Sequence, residues 1–381
     1  MDIKEVVNIK IKKYGLEGLV DYNWFLSLNN TQQRNFLSLY LVPNKILNHK
    51  DIIINKDLLD STYYVKDINL INGARTNEIA SCISTLLENK EFINSKNHSF
   101  DVDAIFNSKS LVISSYLYGI ASNITLSNNK YHKDYMNAIS NAKNDEVAYY
   151  LCKMAYYPRN KYTLKDILLV SSASDNYKAG FLCDVANNKI SIESGHHEID
   201  MSLIYNADNY TTAKCICNAV TNKEFVSSKY FTRDINLIKD SSLGYKTENI
   251  CTLALDKDSL NSSYHVNDIS LIDKCDNEFV SKYLLDVARD VNSLNSNYHL
   301  SDMNLLSKCN EDNVYYVYLL AINKDSLKDL SHSDDMISIF NAKSEEEAKE
   351  TYEKIIDKYS KKRYVDKDKK RKSNNLVLKK Y

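Results

Sequence analysis

Four histidines in this chain stand three residues before an aspartate: His197/Asp200, His265/Asp268, His299/Asp302 and His332/Asp335. On a helix, positions i and i+3 share a face, and carboxylate–histidine pairs at that spacing bind metal ions. The pattern itself speaks against a metal centre. The same position holds Tyr64, Phe100, Thr163 and Phe231 elsewhere in the chain. Ligands must also converge on one point, whereas stacked helices would spread these residues about 9 Å apart. The histidines therefore read as a semi-buried aromatic column, and no metal is expected.

The cysteines follow the same logic. Cys152, Cys183, Cys217 and Cys251 recur at one place in a repeating pattern, where the next two copies carry Leu285 and Leu319. Cysteine standing in for leucine behaves as a small buried hydrophobe. Cys215 and Cys217 diverge by about 200° on a helix and do not form a metal pair. There is no phosphate-binding glycine loop, Gly-x-Ser-x-Gly, HExxH or CxxC. No catalytic residue and no cofactor are expected, and the chain reads as not an enzyme, an enzyme or enzyme inhibitor built on the repeat scaffold being the least favoured alternative.

What positions these residues is a repeat. The stretch Tyr298-His-Leu-Ser-Asp302-Met-Asn-Leu-Leu306 returns as YHVNDISLI from Tyr264, YFTRDINLI from Tyr230 and YYVKDINLI from Tyr63. Its central residue is Asp67, Asp103, Tyr135, Asp166, Asp200, Asp234, Asp268, Asp302 and Asp335. A spacing that stays near about 34 residues over nine copies marks a repeat architecture. The Asp column offers either an acidic stripe for a basic partner or a structural acceptor for Tyr, His or backbone N–H groups. Its presence in nearly every copy favours the structural role.

Each copy reads as two helices. From Tyr264, apolar residues fall on one helical stripe through Ile269 and Ile272, ending near Cys275. Asp276-Asn-Glu278 supplies a start signal for a second helix carrying Phe279, Tyr283, Leu284, Val287 and Ala288. Asn292 to Asn297 reads as a polar link. Ala121, Ala155, Ala186, Ala219, Ala254, Ala288 and Ala321 recur in the second helices, where a small side chain lets neighbours approach closely. Only 7 Gly and 2 Pro in 381 residues also favour helices with short connections. The 29 Tyr match the bias of AT-rich codons and are not read as a binding surface on their number alone.

The expected fold is all-α, a right-handed α-solenoid of about nine two-helix repeats. Residues 1–60 would form an N-terminal cap or degenerate repeat, 61–343 the repeats, and 344–360 a capping helix opened by Ser344-Glu-Glu-Glu347. Residues 361–381 would be a basic, disordered tail. From Lys358 to Tyr381 eleven Lys/Arg face two Asp, a charge of +9, which leaves −10 for residues 1–357 out of an overall −1.

Helical hairpins of this period with a recurring Ala resemble the α-solenoid superfamily that includes tetratricopeptide, HEAT and pentatricopeptide repeats. The resemblance covers roughly residues 61–343 and is architectural. The Trp, Leu-Gly and Pro of tetratricopeptide repeats do not recur, nor does the regular Arg of HEAT repeats. The resemblance implies a scaffold that binds an extended protein or peptide partner along a curved surface. The tail, with Lys369, Lys370, Arg371 and Lys372, offers phosphate contacts to nucleic acid, simple solvation, or a salt-sensitive contact with the acidic body. No apolar stretch of about 18 residues suggests a membrane span. The charged Met1-Asp-Ile-Lys-Glu start lacks a signal-peptide core, so a cytoplasmic location is expected.

Overall fold

The computed structural model describes residues 2–40, 48–157 and 164–378, with side chains described as far as Lys362. Among them every regular element is helical, and no helix is long and apolar enough to cross a membrane. The chain divides into two compact units, 1–187 and 188–381.

The second unit shows the module most fully. A first helix, His265–Lys274, is followed by a second, Glu278–Arg289. The segment read as a polar link is not simply a loop. It contains a one-turn helix, Val291–Leu294, with Ser293 buried, before the next first helix, His299–Leu306, and second helix, Val314–Ala321. The first unit repeats this as Lys90–Ile93, His98–Phe106 and Leu111–Ser122, then Ile124–Ser127, His132–Ser140 and Asp145–Tyr156. A run of a single turn is too short to show helical periodicity.

Side-chain caps punctuate the chain in place of Gly and Pro. Second helices open on Thr76, Ser110, Asn144, Asn209 and Asn277, each accepting a backbone N–H three residues on. One-turn helices open the same way on Asn55, Asn89, Asn123, Asn222, Asp256 and Asp290. Ahead of the first helices, Ser61, Ser95, Asn129, Ser194, Ser228, Ser262 and Ser296 accept the N–H two residues on. An N-cap of this kind is worth about 1 kcal/mol against alanine. Among the described residues, left-handed backbone occurs only at Gly15, Gly18 and Gly195.

Within each unit, successive second helices pack against one another. In the first these are Asn77–Leu87, Leu111–Ser122, Asp145–Tyr156 and Asn176–Asn187. In the second they are Tyr210–Val220, Gly244–Ala254, Glu278–Arg289 and Val314–Ala321. The recurring alanines are buried in them, as are Cys152, Cys183, Cys217 and Cys251.

At the start of the chain Trp24 meets Phe36 edge-on, and Phe25 and Phe36 are buried. At the other end, Ser344 receives the N–H of Glu347, while the Glu347 carboxylate receives that of Lys343. The helix so opened runs Glu345–Leu378, well past position 360 where the sequence suggested an end. Its first turns pack on His332–Phe340 and Val314–Ala321.

Candidate functional site

The histidines do not pair with the aspartates of their own helices. Five histidines reach back one repeat instead. In the first unit, Asp67 bonds Nε2 of His98 and Asp101 that of His132, both at 2.7 Å. In the second, Asp234 bonds His265 at 2.8 Å, Asp268 bonds His299 at 3.0 Å and Asp302 bonds His332 at 2.9 Å. A tyrosine one turn before the Asp lies on the same ring: Tyr230 on His265 at 4.5 Å, Tyr264 on His299 at 4.6 Å and Tyr298 on His332 at 4.7 Å between centroids. Tyr63 stacks on His98 in the same way.

A serine of the one-turn helix completes three of these junctions. Ser259, Ser293 and Ser326 stand 2.9, 2.9 and 2.6 Å from Nδ1 of His265, His299 and His332. A serine hydroxyl donating to Nδ1 fixes the ring hydrogen on Nε2 and aims it at the carboxylate. The result is Ser–His–Asp, the residue set of nucleophilic hydrolases. All three serines and histidines are fully buried, and the set recurs at successive repeats. A nucleophile needs a substrate beside it, so this arrangement locks repeats together.

Two members of the expected Asp column sit elsewhere. Asp103 is half-exposed and pairs with Lys66 at 2.6 Å. The buried position belongs to Asp101, which lies midway between Asp67 and Tyr135, one full period from each. The SFDVDAIFN segment holds two aspartates two positions apart, and the sequence register settled on the wrong one. At the far end Asp335 has no following repeat. It accepts instead from Lys358 at 2.8 Å and from Tyr359, both on the capping helix. Asp67, Asp166, Asp200, Asp234, Asp268 and Asp302 are buried as the structural reading requires. Burial drives the carboxyls of Asp67 and Asp302 above the usual range, opposed by His98 and His332 respectively.

Among the described residues no three His, Cys, Asp or Glu gather as a metal site. The side chains of Lys369, Lys370, Arg371 and Lys372 lie outside the described residues. An open recess of about 720 Å³ lies between Lys223–Val226 and Lys257–Asn261. Its Lys257 and Glu224 pair with each other at 3.5 Å.

One surface the sequence did not nominate carries tyrosines in contact on the exposed side of the second helices. In the first unit Tyr116 meets Tyr149 at 6.3 Å, and Tyr149 meets Tyr150 at 5.5 Å. Gly180 of the next second helix gives Tyr150 its seat, since a Cβ there would stand 3.0 Å from the ring. In the second unit Tyr283 stacks on Tyr318 at 4.8 Å and meets Tyr315 at 6.0 Å. Tyr149 and Tyr315 remain 48% and 45% exposed, and Phe279 60%. The signal was present as aromatics recurring in the second helices, but codon bias explained their number equally well.

Comparison with protein-family models gave no match, and comparison with curated proteins gave none either.

Proposed function

We propose that this chain is a non-enzymatic scaffold that engages a protein or peptide partner along the exposed face of its second helices. The fold we infer for it is a right-handed α-solenoid of about nine two-helix repeats, of the general tetratricopeptide or HEAT kind, acting in the cytoplasm. The observation that carries this reading is the tyrosine face. Tyrosine offers large, rigid, amphipathic contact area and is enriched at binding anchors. Here rings on neighbouring second helices touch one another while staying open to solvent.

The test is capture of a partner by the full chain and by a Tyr149→Ser/Tyr315→Ser variant. A control variant carries Lys133→Ser, an exposed change on a first helix. Loss of the captured protein with the tyrosine variant alone supports the scaffold. Equal capture by all three, or turnover of a small substrate abolished by the tyrosine changes, removes it.

A second reading rests on the lysine and arginine run near the C-terminus: nucleic-acid binding through phosphate contacts. Binding of single-stranded RNA that falls steeply with salt and is lost on deleting residues 361–381 would establish it. The −10 charge of residues 1–357 disfavours it.

A further inference from the structure

Asp286 stands out among the carboxylates of the second-helix face. It is half-buried on Glu278–Arg289, and no ion pair or hydrogen bond engages it among the described residues. Nearby acids are engaged: Asp256 pairs with Arg289 at 3.1 Å and Asp276 with Lys246 at 2.7 Å. Asp286 lies close enough to Tyr283 and Tyr318 to help raise both phenols, burial being the larger cause. Burial also lifts its own carboxyl, partly offset by Lys282 and Arg289.

The first unit shows what belongs beside such a carboxylate. Asp184 occupies the same place relative to Asp166 as Asp286 does relative to Asp268. There Lys153 of the preceding second helix reaches across, its Nζ 2.9 Å from Asp184 Oδ1. The position matching Lys153 ahead of Asp286 is Thr252, which follows Asp234 at the distance in sequence that Lys153 follows Tyr135. The second unit therefore keeps the carboxylate but lacks an ammonium from the preceding second helix, and Tyr283 takes the place that Phe181 has beside Asp184.

We propose that Asp286, Tyr283, Tyr315 and Tyr318 form a receptor for a lysine or arginine side chain presented by an extended basic peptide. A cation would meet aromatic faces and a carboxylate already partly withdrawn from water, where attraction exceeds that at an open surface. An apolar side chain would bury the carboxylate without a partner, at a cost. An anion would be repelled by it. The proposal rests on the scaffold reading and names its partner's chemistry.

The experiment uses a fluorescein-labelled decapeptide of alternating Lys and Ala, followed by polarisation with the full chain in low salt. Asp286→Asn is expected to weaken binding at least about fivefold. Thr252→Lys should do the same, by supplying internally the ammonium that Lys153 gives Asp184. Asp258→Asn, an exposed carboxylate elsewhere in the second unit, should change it less than about twofold. Equal loss in Asp258→Asn and Asp286→Asn would show undirected charge attraction and overturn the proposal. So would absence of binding, or unchanged binding by a folded Thr252→Lys variant. If Thr252→Lys does not fold, the two Asp→Asn variants decide. Tighter binding of a peptide carrying residues 361–381 would reassign the receptor to a second copy of this chain. If the decapeptide fails while partner capture still depends on Tyr149 and Tyr315, only the cationic specificity falls and the scaffold stands.

Discussion

His299 and Asp268 belong to different repeats yet lie 3.0 Å apart in space, both fully buried, with Nε2 facing Oδ2. The other oxygen of Asp268 has no hydrogen-bond partner, so this histidine is the carboxylate's one side-chain donor among the described residues. Removing it leaves a buried carboxyl without a side-chain partner. His299→Ala is expected to cost about 3–5 kcal/mol, read from urea unfolding of the full chain. Ser293→Ala removes only the hydroxyl at Nδ1 and should cost about 1 kcal/mol. Comparable losses for the two variants would mean that the bond to Asp268 is not what holds the repeats together.

Asp200 is the exception that exposes the rule. Phe231 takes the place after it that His265 takes after Asp234, and its ring packs on His196 at 5.2 Å. The remaining bond is a long one from Ser191 at 3.5 Å, and Oδ1 has no partner. Burial pushes this carboxyl up to about 7, opposed by His197 and Ser191. In the unfolded chain it would titrate near about 3.9. Between those values the folded state holds a proton that the unfolded state has lost, so stability falls as pH rises through that window and is level above it. Asp200→Asn should flatten that part of the profile and stabilise the protein at pH 8. Phe231→His should act in the same direction by restoring the missing donor, by about 1–3 kcal/mol. Melting temperatures from pH 5 to 8 check both. A wild-type slope that persists unchanged in Asp200→Asn would assign it to other groups.

Ala288 is fully buried in Glu278–Arg289, which packs on the second helices before and after it. Where backbones approach this closely, added volume has nowhere to go. Ala288→Leu is expected to destabilise by about 1–3 kcal/mol through overpacking. Leu285, 8% exposed at the column shared with the cysteines, should accept Cys at a smaller loss. Urea midpoints of the two variants give the comparison, and a neutral Ala288→Leu would deny the close packing its role.

Much of this arrangement was legible because periodicity survives in sequence. The helices, their second-helix alanines and the buried cysteine column follow from residues recurring at one spacing. What the spacing hid was which residues meet. A His-x-x-Asp pair on one helix looks like a local pair, and nothing local says that His265 instead bonds Asp234 of the preceding repeat. The register at Asp103 failed because two aspartates compete within one segment, and only burial separates Asp101 from Asp103. The one-turn helices went unseen because a single turn carries too little pattern. The open place beside Asp286 becomes visible only once the Lys153–Asp184 pair is known in space.

The end of the repeat run offers a test with the opposite pH sign. Burial pushes the Asp335 carboxyl up, but bonds from Lys358, Tyr359 and Ser331 hold it below the usual range. Lys362 and the Ser331 backbone hold Asp329 at about 2. Each is therefore ionised in the folded state at pH values where the unfolded chain begins to take up protons. The stability they contribute is present above about pH 4 and is lost as pH falls through their folded values. Tyr359→Phe removes one donor to Asp335 and should lower the melting temperature at pH 6, by about 1 kcal/mol of stability. The gap between variant and wild type should narrow as pH falls from 5 towards 2, because protonated Asp335 no longer needs its donors. A gap that stays constant over that range would mean the capping helix is held by its apolar contacts, chiefly Ile355 and the Tyr359 ring, rather than by the carboxylate.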